Sequence, residues 1–302
     1  MGGDDYFHPS LPGRFEPSGD LKVDYSFTRY LAAKKTIDDR SLNHEVWRAL
    51  RGGVPAGPLL ILEVGAGTGT MVERLASRGL RWANGGYTAI DADTENIAEA
   101  RRRLDAIDLP GAVKLETEDV HVFATRERER RRWDLIVAHA FLDLVNITQV
   151  LPDLFTLLRP GGWFYFTINF DGLTVFEPRD DLDNHVIKQY HRTMDERREG
   201  GRATAGSRAG RALLLEIPAA GGEIVAAGSS DWIVLPRSGR YPADEAYFLH
   251  HIIHFFESSL TGRAAIDAAQ LAGWLERRRA QIDTGELVFI AHQIDVCGYI
   301  SE

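Results

Sequence analysis

The residues best suited to chemistry form one short segment that is rich in glycine and begins with a carboxylate. It reads Glu63-Val-Gly65-Ala-Gly67-Thr-Gly69. Glycine lets the backbone approach a ligand closely, and a helix that starts after such a turn presents unpaired amide N–H groups at its N-terminus. The dinucleotide fingerprint Gly-x-Gly-x-x-Gly would need its third glycine one residue later, where the chain has Thr70. The spacing therefore indicates a nucleotide-type ligand and disfavours a dinucleotide.

Strands and helices alternate around this segment. Residues 59–62 are a continuous apolar run, typical of a strand buried on both faces, and a helical pattern follows the glycines. Further strands with helical patterns between them are predicted over residues 87–90, 112–116, 133–138 and 163–170. This alternation predicts a mainly parallel, doubly wound α/β sheet. Beyond it the sequence predicts a helix over 207–217, a strand over 223–235, a long helical stretch over 244–282 and a last strand over 286–300.

The glycine segment resembles the cofactor loop of class I S-adenosylmethionine-dependent methyltransferases, and the resemblance continues in order along residues 59–170. Residues 133–145 resemble the fourth-strand segment of ubiquinone-biosynthesis-type methyltransferases, and Leu158-Arg-Pro-Gly-Gly162 resembles the turn before their fifth strand. The resemblance implies a Rossmann-like, doubly wound sheet of seven strands in the order 3-2-1-4-5-7-6. The sheet would be mostly parallel with an antiparallel last strand, and helices would cover both faces.

The same resemblance separates a methyltransferase domain from the residues that precede it in the chain. We expect residues 1–58 to form an N-terminal arm and a helical cap, because prolines and glycines crowd the first part and helical patterns follow. Residues 59–302 would form the methyltransferase domain, with insertions at about 172–206 and 241–283. Its cofactor would be S-adenosyl-L-methionine, and the product S-adenosyl-L-homocysteine.

Residues of the glycine segment would contact the methionine part of the cofactor, according to the resemblance. Gly65, Gly67 and Gly69 would lie against it, and Glu63 would lie near its ammonium group. The full set of cofactor residues that we expect is Glu63, Gly65, Ala66, Gly67, Gly69, Asp91, Ala92, Asp119, Val120 and His139.

Two of these residues are carboxylates that follow predicted strands. The resemblance implies that Asp91 accepts both hydrogen bonds from the ribose diol, and that Asp119 binds the adenine amino group with Val120 against the ring. Both carboxylates have a second interpretation, because aspartate at the end of a strand often caps the helix that follows.

His139 ends the fourth predicted strand, at a position where the relatives carry a small or polar residue. An imidazole with an ordinary pKa near 6.5 could take a proton from a hydroxyl or ammonium nucleophile there. A purely positional role, such as stacking or hydrogen bonding to the cofactor, is the alternative. The relatives also carry a Glu-His pair where this chain has Asp143-Leu144.

The acceptor of the methyl group is predicted to be a small molecule. The net charge of -9 disfavours a polyanionic partner such as nucleic acid, and the fourth strand lacks the Asn/Asp-Pro-Pro-Tyr/Phe segment of amino-group methyltransferases for adenine and glutamine. Candidate substrate residues are Tyr25, Tyr30, His185, Tyr190 and Tyr247. A nucleic-acid or protein methyltransferase and a noncatalytic S-adenosylmethionine binder remain as alternatives, and an NAD-dependent oxidoreductase is disfavoured.

Three further features carry weaker hypotheses. His250 and His254 could bind a metal, although pocket or packing roles are favoured and no metal is predicted. The apolar helix around them suits core, a pocket wall or a homodimer contact. Arginines in or beside residues 172–206 could grip an anionic substrate, or could belong to a solvated loop. The chain has one cysteine and no apolar run of membrane-spanning length, so we expect a cytoplasmic protein with no membrane partner.

Overall fold

Two helices precede the sheet in the computed structural model, which describes residues 25–301. Helix α1 spans Phe27–Ser41, and α2 spans His44–Gly53. Each begins at a polar cap, since the Ser26 hydroxyl accepts a hydrogen bond from Arg29 N–H and the side-chain Oδ1 of Asn43 accepts two, from Glu45 N–H and Val46 N–H. These helices lie in the region for which a helical cap was predicted, whereas the predicted arm before Tyr25 lies outside the described residues.

Five strands and four helices then alternate along the chain. They are β1 (Leu59–Val64), α3 (Thr70–Ser77), β2 (Trp82–Asp91), α4 (Thr94–Leu104), β3 (Val113–Thr117), α5 (Val120–Glu127), β4 (Trp133–His139), α6 (Ile147–Leu157) and β5 (Leu158–Glu177). The remaining elements are α7 (Asp183–Asp195), β6 (Arg198–Glu199), β7 (Arg202–Ala203), a 3-10 turn (Gly206–Arg208), α8 (Ala209–Ala219), β8 (Gly222–Ser229), β9 (Trp232–Val234), α9 (Glu245–Leu260), α10 (Ala268–Asp283) and β10 (Val288–Ile300).

The main sheet has the strand order β3-β2-β1-β4-β5-β10-β8. Strands β1 to β5 pair in parallel with their neighbours, and β10 pairs antiparallel with both β5 and β8. The predicted Rossmann-like α/β fold and its order 3-2-1-4-5-7-6 are therefore confirmed, with β8 as the sixth strand and β10 as the seventh.

Three predicted boundaries were wrong. The single strand expected over 223–235 is divided at Ser230, whose hydroxyl donates to the buried Asp295 carboxylate, so that β9 is an eighth strand paired with β10. The long helix expected over 244–282 is divided into α9 and α10, because Gly262 adopts a φ of 78° and Asp267 caps the second helix. Strand β5 continues to Glu177, into the region expected to be an insertion.

Alternation along the strands assigns each side chain to one face of the sheet. Leu62, Ile136 and Phe164 pack in one buried cluster with residues of α5, α6 and α8, whereas Ile61 and Val137 pack in another with residues of α2 and α3. A third buried cluster joins α1, α7, α9 and α10. Among the described residues no helix is long and apolar enough to cross a membrane.

Candidate active site

The glycine segment forms the turn between β1 and α3. Gly65, Gly67 and Gly69 have φ values of 65°, 53° and 77°, in the left-handed region that a side chain disfavours. A β-carbon on Gly65 would lie 2.3 Å from the ring of Phe141, and one on Gly67 would lie 3.4 Å from a methyl group of Leu31. The turn therefore requires glycine, and α1 and the segment after β4 pack directly against it.

Asp91 holds this turn to the end of β2. One carboxylate oxygen accepts a hydrogen bond from Gly67 N–H at 2.8 Å, and the other accepts from Asp93 N–H at 2.9 Å and the Asn96 amide at 3.2 Å. Burial raises the pKa of Asp91, while these hydrogen bonds act in the opposite direction. A carboxylate offers about four acceptor directions, so one remains on the Gly67 side for a ligand hydroxyl. Ala92, the next residue, is exposed.

Glu63 is buried beside Tyr87, whose hydroxyl donates to its carboxyl group at 2.6 Å. Burial raises the pKa of Glu63 to about 8, against the effects of the Tyr87 hydrogen bond and the Arg74 charge. The carboxyl group is consequently protonated in most molecules at neutral pH. It would then meet a ligand ammonium group as a neutral hydrogen-bonding partner.

Asp119 caps helix α5 through one of its two carboxylate oxygens, as one of its two interpretations predicts. That oxygen accepts hydrogen bonds from His121 N–H at 2.8 Å and Val122 N–H at 3.2 Å, which caps α5. The neighbouring Glu118 carboxylate pairs with Arg126. Val120 is buried with the core residues of α5. The second oxygen of Asp119 accepts no hydrogen bond within residues 25–301, so it is available for an adenine amino group.

His139 is buried at the end of β4 with both ring nitrogens engaged. Its Nδ1 lies 2.8 Å from Thr167 Oγ1, and its Nε2 lies 2.9 Å from a carboxylate oxygen of Asp38. Burial lowers the pKa of His139 to about 4, although the Asp38 charge opposes this. The ring is neutral at neutral pH, with Nε2–H donating to Asp38 and Nδ1 accepting from Thr167. In this arrangement neither nitrogen is free to take a proton from an acceptor.

Asp38, which sequence analysis missed, connects α1 to this part of the sheet. Besides His139 it contacts Lys34 at 3.0 Å and accepts a hydrogen bond from the Trp232 ring N–H at 2.9 Å. The charge of Lys34 and the hydrogen bond from His139 hold the pKa of Asp38 below its usual range despite burial. The only sequence signal was a Lys and an Asp four residues apart on one face of a predicted helix. Arg74 lies 3.4 Å from Nε2 of His139. We call Lys34, Asp38, Arg74, His139 and Trp232 the cap network.

Four of the five predicted substrate residues lie on α9 or pack against it. Tyr25 stacks on His254 with ring centroids 4.0 Å apart, Tyr30 stacks on His251 at 4.7 Å, and Tyr190 stacks on Phe256 at 4.0 Å. Tyr247 hydrogen-bonds the backbone of Ser26. His185 instead contacts the carbonyl oxygen of Ala265, in the loop between α9 and α10.

The histidines and arginines of the weaker hypotheses form contacts with nearby side chains. His250 pairs with Asp283 at 2.9 Å, and His254 lies 3.5 Å from Glu257. No group of three or more potential metal ligands occurs within the described part of the chain. The apolar side chains of α9 are buried in the core of one chain, so they need no homodimer contact. Among the arginines near the insertion, Arg192 pairs with Glu196 and Arg211 with Asp171.

Comparison with known proteins found a family model that matches part of this chain. Residues 62–164 match a family model described as a methyltransferase domain. No curated protein matches the chain.

Similar solved structures include three methyltransferases. A Bacillus halodurans protein assigned as a methyltransferase is 11% identical with a TM-score of 0.50, over 86% of this chain and all (100%) of that one. A Thiobacillus denitrificans SAM-dependent methyltransferase in complex with S-adenosyl-L-homocysteine is 15% identical with a TM-score of 0.46, over 90% and 99%. The Synechocystis magnesium protoporphyrin IX methyltransferase is 14% identical with a TM-score of 0.45, over 94% and 90%. The first of these shows the shared fold.

Proposed function

We propose that this chain, whose residues 62–164 match a methyltransferase domain, uses S-adenosylmethionine to transfer a methyl group to oxygen, nitrogen or carbon of a small molecule. One observation carries the proposal: the glycine turn is held to Asp91 by the Gly67 N–H bond, which leaves an acceptor direction of the carboxylate beside the start of α3. The glycine turn thus lies at one end of the sheet, together with the N-terminus of α3 and the Asp91 carboxylate that would bind the ribose.

The residues at this end fit such a cofactor by the chemistry of their donors and acceptors. The glycine turn would lie against the methionine part, with Glu63 behind it as a neutral carboxyl group. Asp91 would accept from a ribose hydroxyl, and the free oxygen of Asp119 from the adenine amino group. Thr68, in the turn itself, has a buried hydroxyl that lacks a partner within residues 25–301.

When bound, S-adenosylmethionine supplies a methyl group that its sulfonium already makes electrophilic. The chain's own contribution is then to orient the acceptor and exclude water. Leu31 and Phe141 cover the glycine turn and supply the apolar wall. We assign His139 a positioning role, because its bond to Asp38 helps fix α1, which carries Leu31, over the site.

A small-molecule acceptor is supported by the charge balance and by the place of the tyrosines. The net charge of -9 opposes binding of a nucleic acid backbone. Tyr30 is buried and Tyr190 is half-buried in the same apolar cluster, which favours a small acceptor over a macromolecular one. The salt dependence of substrate binding distinguishes a small-molecule acceptor from a nucleic acid, because binding through phosphates weakens steeply as salt rises.

Isothermal titration calorimetry with S-adenosylmethionine and S-adenosylhomocysteine tests the cofactor site. We expect both to bind the wild type, and Asp91→Ala to abolish binding at millimolar concentration, because the turn loses its anchor and the ribose loses its acceptor. Asp108→Asn, a charge change at an exposed residue of the same region, is the matched control and should bind normally. Absence of binding to the wild type would overturn the proposal.

A further inference from the structure

Two residues with a left-handed backbone lie side by side where β4 ends. Ala140 directly follows β4 and has a φ of 50°, and Ile168 of β5 has a φ of 55°. A hydrogen bond of 2.9 Å from Ala140 N–H to Thr167 O joins the two segments. A positive φ is uncommon for a residue with a side chain and is an outlier for a β-branched one. Such a conformation persists only where neighbouring groups hold it, often close to a functional site.

The conformation of Ile168 belongs to a β-bulge. The register of β5 against β10 shifts by one residue, so that Thr167 and Ile168 together oppose Asp295 alone. A bulge changes the direction in which a side chain points. Here the Thr167 hydroxyl lies 2.8 Å from Nδ1 of His139, while its carbonyl oxygen accepts from Ala140 N–H. The bulge therefore sets both the last residue of β4 and the residue after it.

Asp295 holds this bulge. Its Oδ1 accepts hydrogen bonds from Ile168 N–H at 2.8 Å and from the Ser230 hydroxyl at 2.6 Å, and its Oδ2 accepts from Asn43 N–H at 2.9 Å. Asp295 is 0% exposed and Ile168 is 2% exposed. Without the carboxylate, Ile168 N–H would lose its acceptor away from water, which is costly.

The same contacts continue to the wall of the cofactor site. Ala140 precedes Phe141, which packs so closely on Gly65 that a β-carbon added to Gly65 would lie 2.3 Å from the Phe141 ring and 2.9 Å from its β-carbon. A change in the backbone of Ala140 would consequently move Phe141 relative to the glycine turn. A series of direct contacts thus joins the buried Asp295 to that turn.

We propose that Asp295 is a positioning residue for cofactor binding. Through the bulge it holds Ala140 in the left-handed conformation that places Phe141 against the glycine turn, although β10 lies three strands from β1 in the sheet. This inference rests on the proposed function and adds to its site a residue outside the cofactor loops. A merely structural role would lower stability and leave the affinity for the cofactor unchanged.

Calorimetry with S-adenosylhomocysteine on the full-length protein separates these roles. Asp295→Leu removes every acceptor and should weaken binding at least tenfold. Asp295→Asn keeps an oxygen for Ile168 N–H and should bind at least threefold more tightly than Asp295→Leu. The control is Asp134→Leu, because Asp134 is a buried carboxylate at the opposite end of the sheet, where it accepts from Leu60 N–H at 2.7 Å. It should lower the melting temperature and bind within twofold of the wild type.

Variants of Ala140 test the other end of this series without touching the buried carboxylate, so they also serve if Asp295→Leu does not fold. Ala140→Val should weaken S-adenosylhomocysteine at least fivefold, because a β-branched side chain disfavours a positive φ. Ala140→Asn has a side chain of similar size that tolerates this φ, and it should bind at least threefold more tightly than Ala140→Val. Ala243→Val, at an exposed residue with a φ of 46°, is the matched control and should bind like the wild type.

Three results would overturn the inference: equal affinities of Asp295→Leu and wild type, equal losses in Asp295→Leu and Asp134→Leu, or an Ala140→Val affinity equal to that of Ala243→Val or Ala140→Asn. The proposed function would survive each of them, because the wild type still binds. Failure of the wild type to bind S-adenosylhomocysteine would instead overturn the proposed function, and this inference with it.

Discussion

His139 illustrates how burial sets the chemistry of a single residue. Its pKa is lowered to about 4 in the folded chain. Between pH 4 and pH 6.5 the imidazole therefore binds a proton in the unfolded chain and stays neutral in the folded chain. Stability should therefore fall as pH drops from 6.5 towards 4, by about 3 kcal/mol at most for a shift of this size.

His139→Gln tests this, because glutamine can hydrogen-bond Thr167 and Asp38 without titrating. Melting temperatures of wild type and variant should converge as pH falls from 7 to 5. His185→Gln, which removes an exposed imidazole, is the control and should follow the wild type. Parallel curves for His139→Gln and wild type would show that His139 does not titrate in this range.

Some residue-scale features could be read from the sequence and others could not. The glycines and Asp91 follow a local spacing that any strand–turn–helix unit must obey, so they could be identified directly. Asp38 was visible only as one of many acids. Its contact with His139 joins residues 101 positions apart in the sequence, which no local pattern encodes.

At the scale of elements, α1 is held by buried charge as well as by apolar packing. Asp38 is 1% exposed and joins Lys34, His139 and Trp232. Removing one member of a buried ion pair leaves its partner uncompensated and costs about 3 to 5 kcal/mol.

Asp38→Ala should accordingly destabilise the protein by that amount and expose α1 to solvent. Hydrogen exchange should become faster in residues 27–41 than in β1 and β4. Glu45→Ala, which breaks an exposed pair with Arg48 on α2, should change stability by less than about 1 kcal/mol. Equal exchange rates in α1 of wild type and Asp38→Ala would contradict an anchoring role for the cap network.

Element boundaries show why sequence prediction succeeded in the sheet and failed beside it. Strands β1 and β4 are buried on both faces, so their apolar runs are continuous and bounded by turn residues. The break between β8 and β9 depends on Ser230 reaching the buried Asp295 of β10. That contact exists only after the sheet has formed, and the local composition gave no sign of it.

At the scale of the whole molecule, cofactor binding and folding are linked. A ligand at one hundred times its Kd adds about 2.7 kcal/mol to the free energy of unfolding. For a chain of 302 residues this corresponds to a rise of about 4 °C in Tm.

We expect S-adenosylhomocysteine at that ratio to raise Tm by this amount, and NADH at the same concentration to leave it unchanged. Differential scanning fluorimetry measures both. A comparable shift with NADH would contradict the preference that the glycine spacing predicts.

The hairpin Arg198–Ala203 has an evolutionary consequence. Two hydrogen bonds attach it to the loop after β4, from Asn146 N–H to the Glu199 carboxylate and from the Asn146 side-chain amide to Ala203 O. Hairpin residues other than Glu199 can therefore be exchanged during divergence without disturbing the sheet or the glycine turn. A laboratory graft of residues 198–203 between homologues that keeps Glu199 would imitate that history.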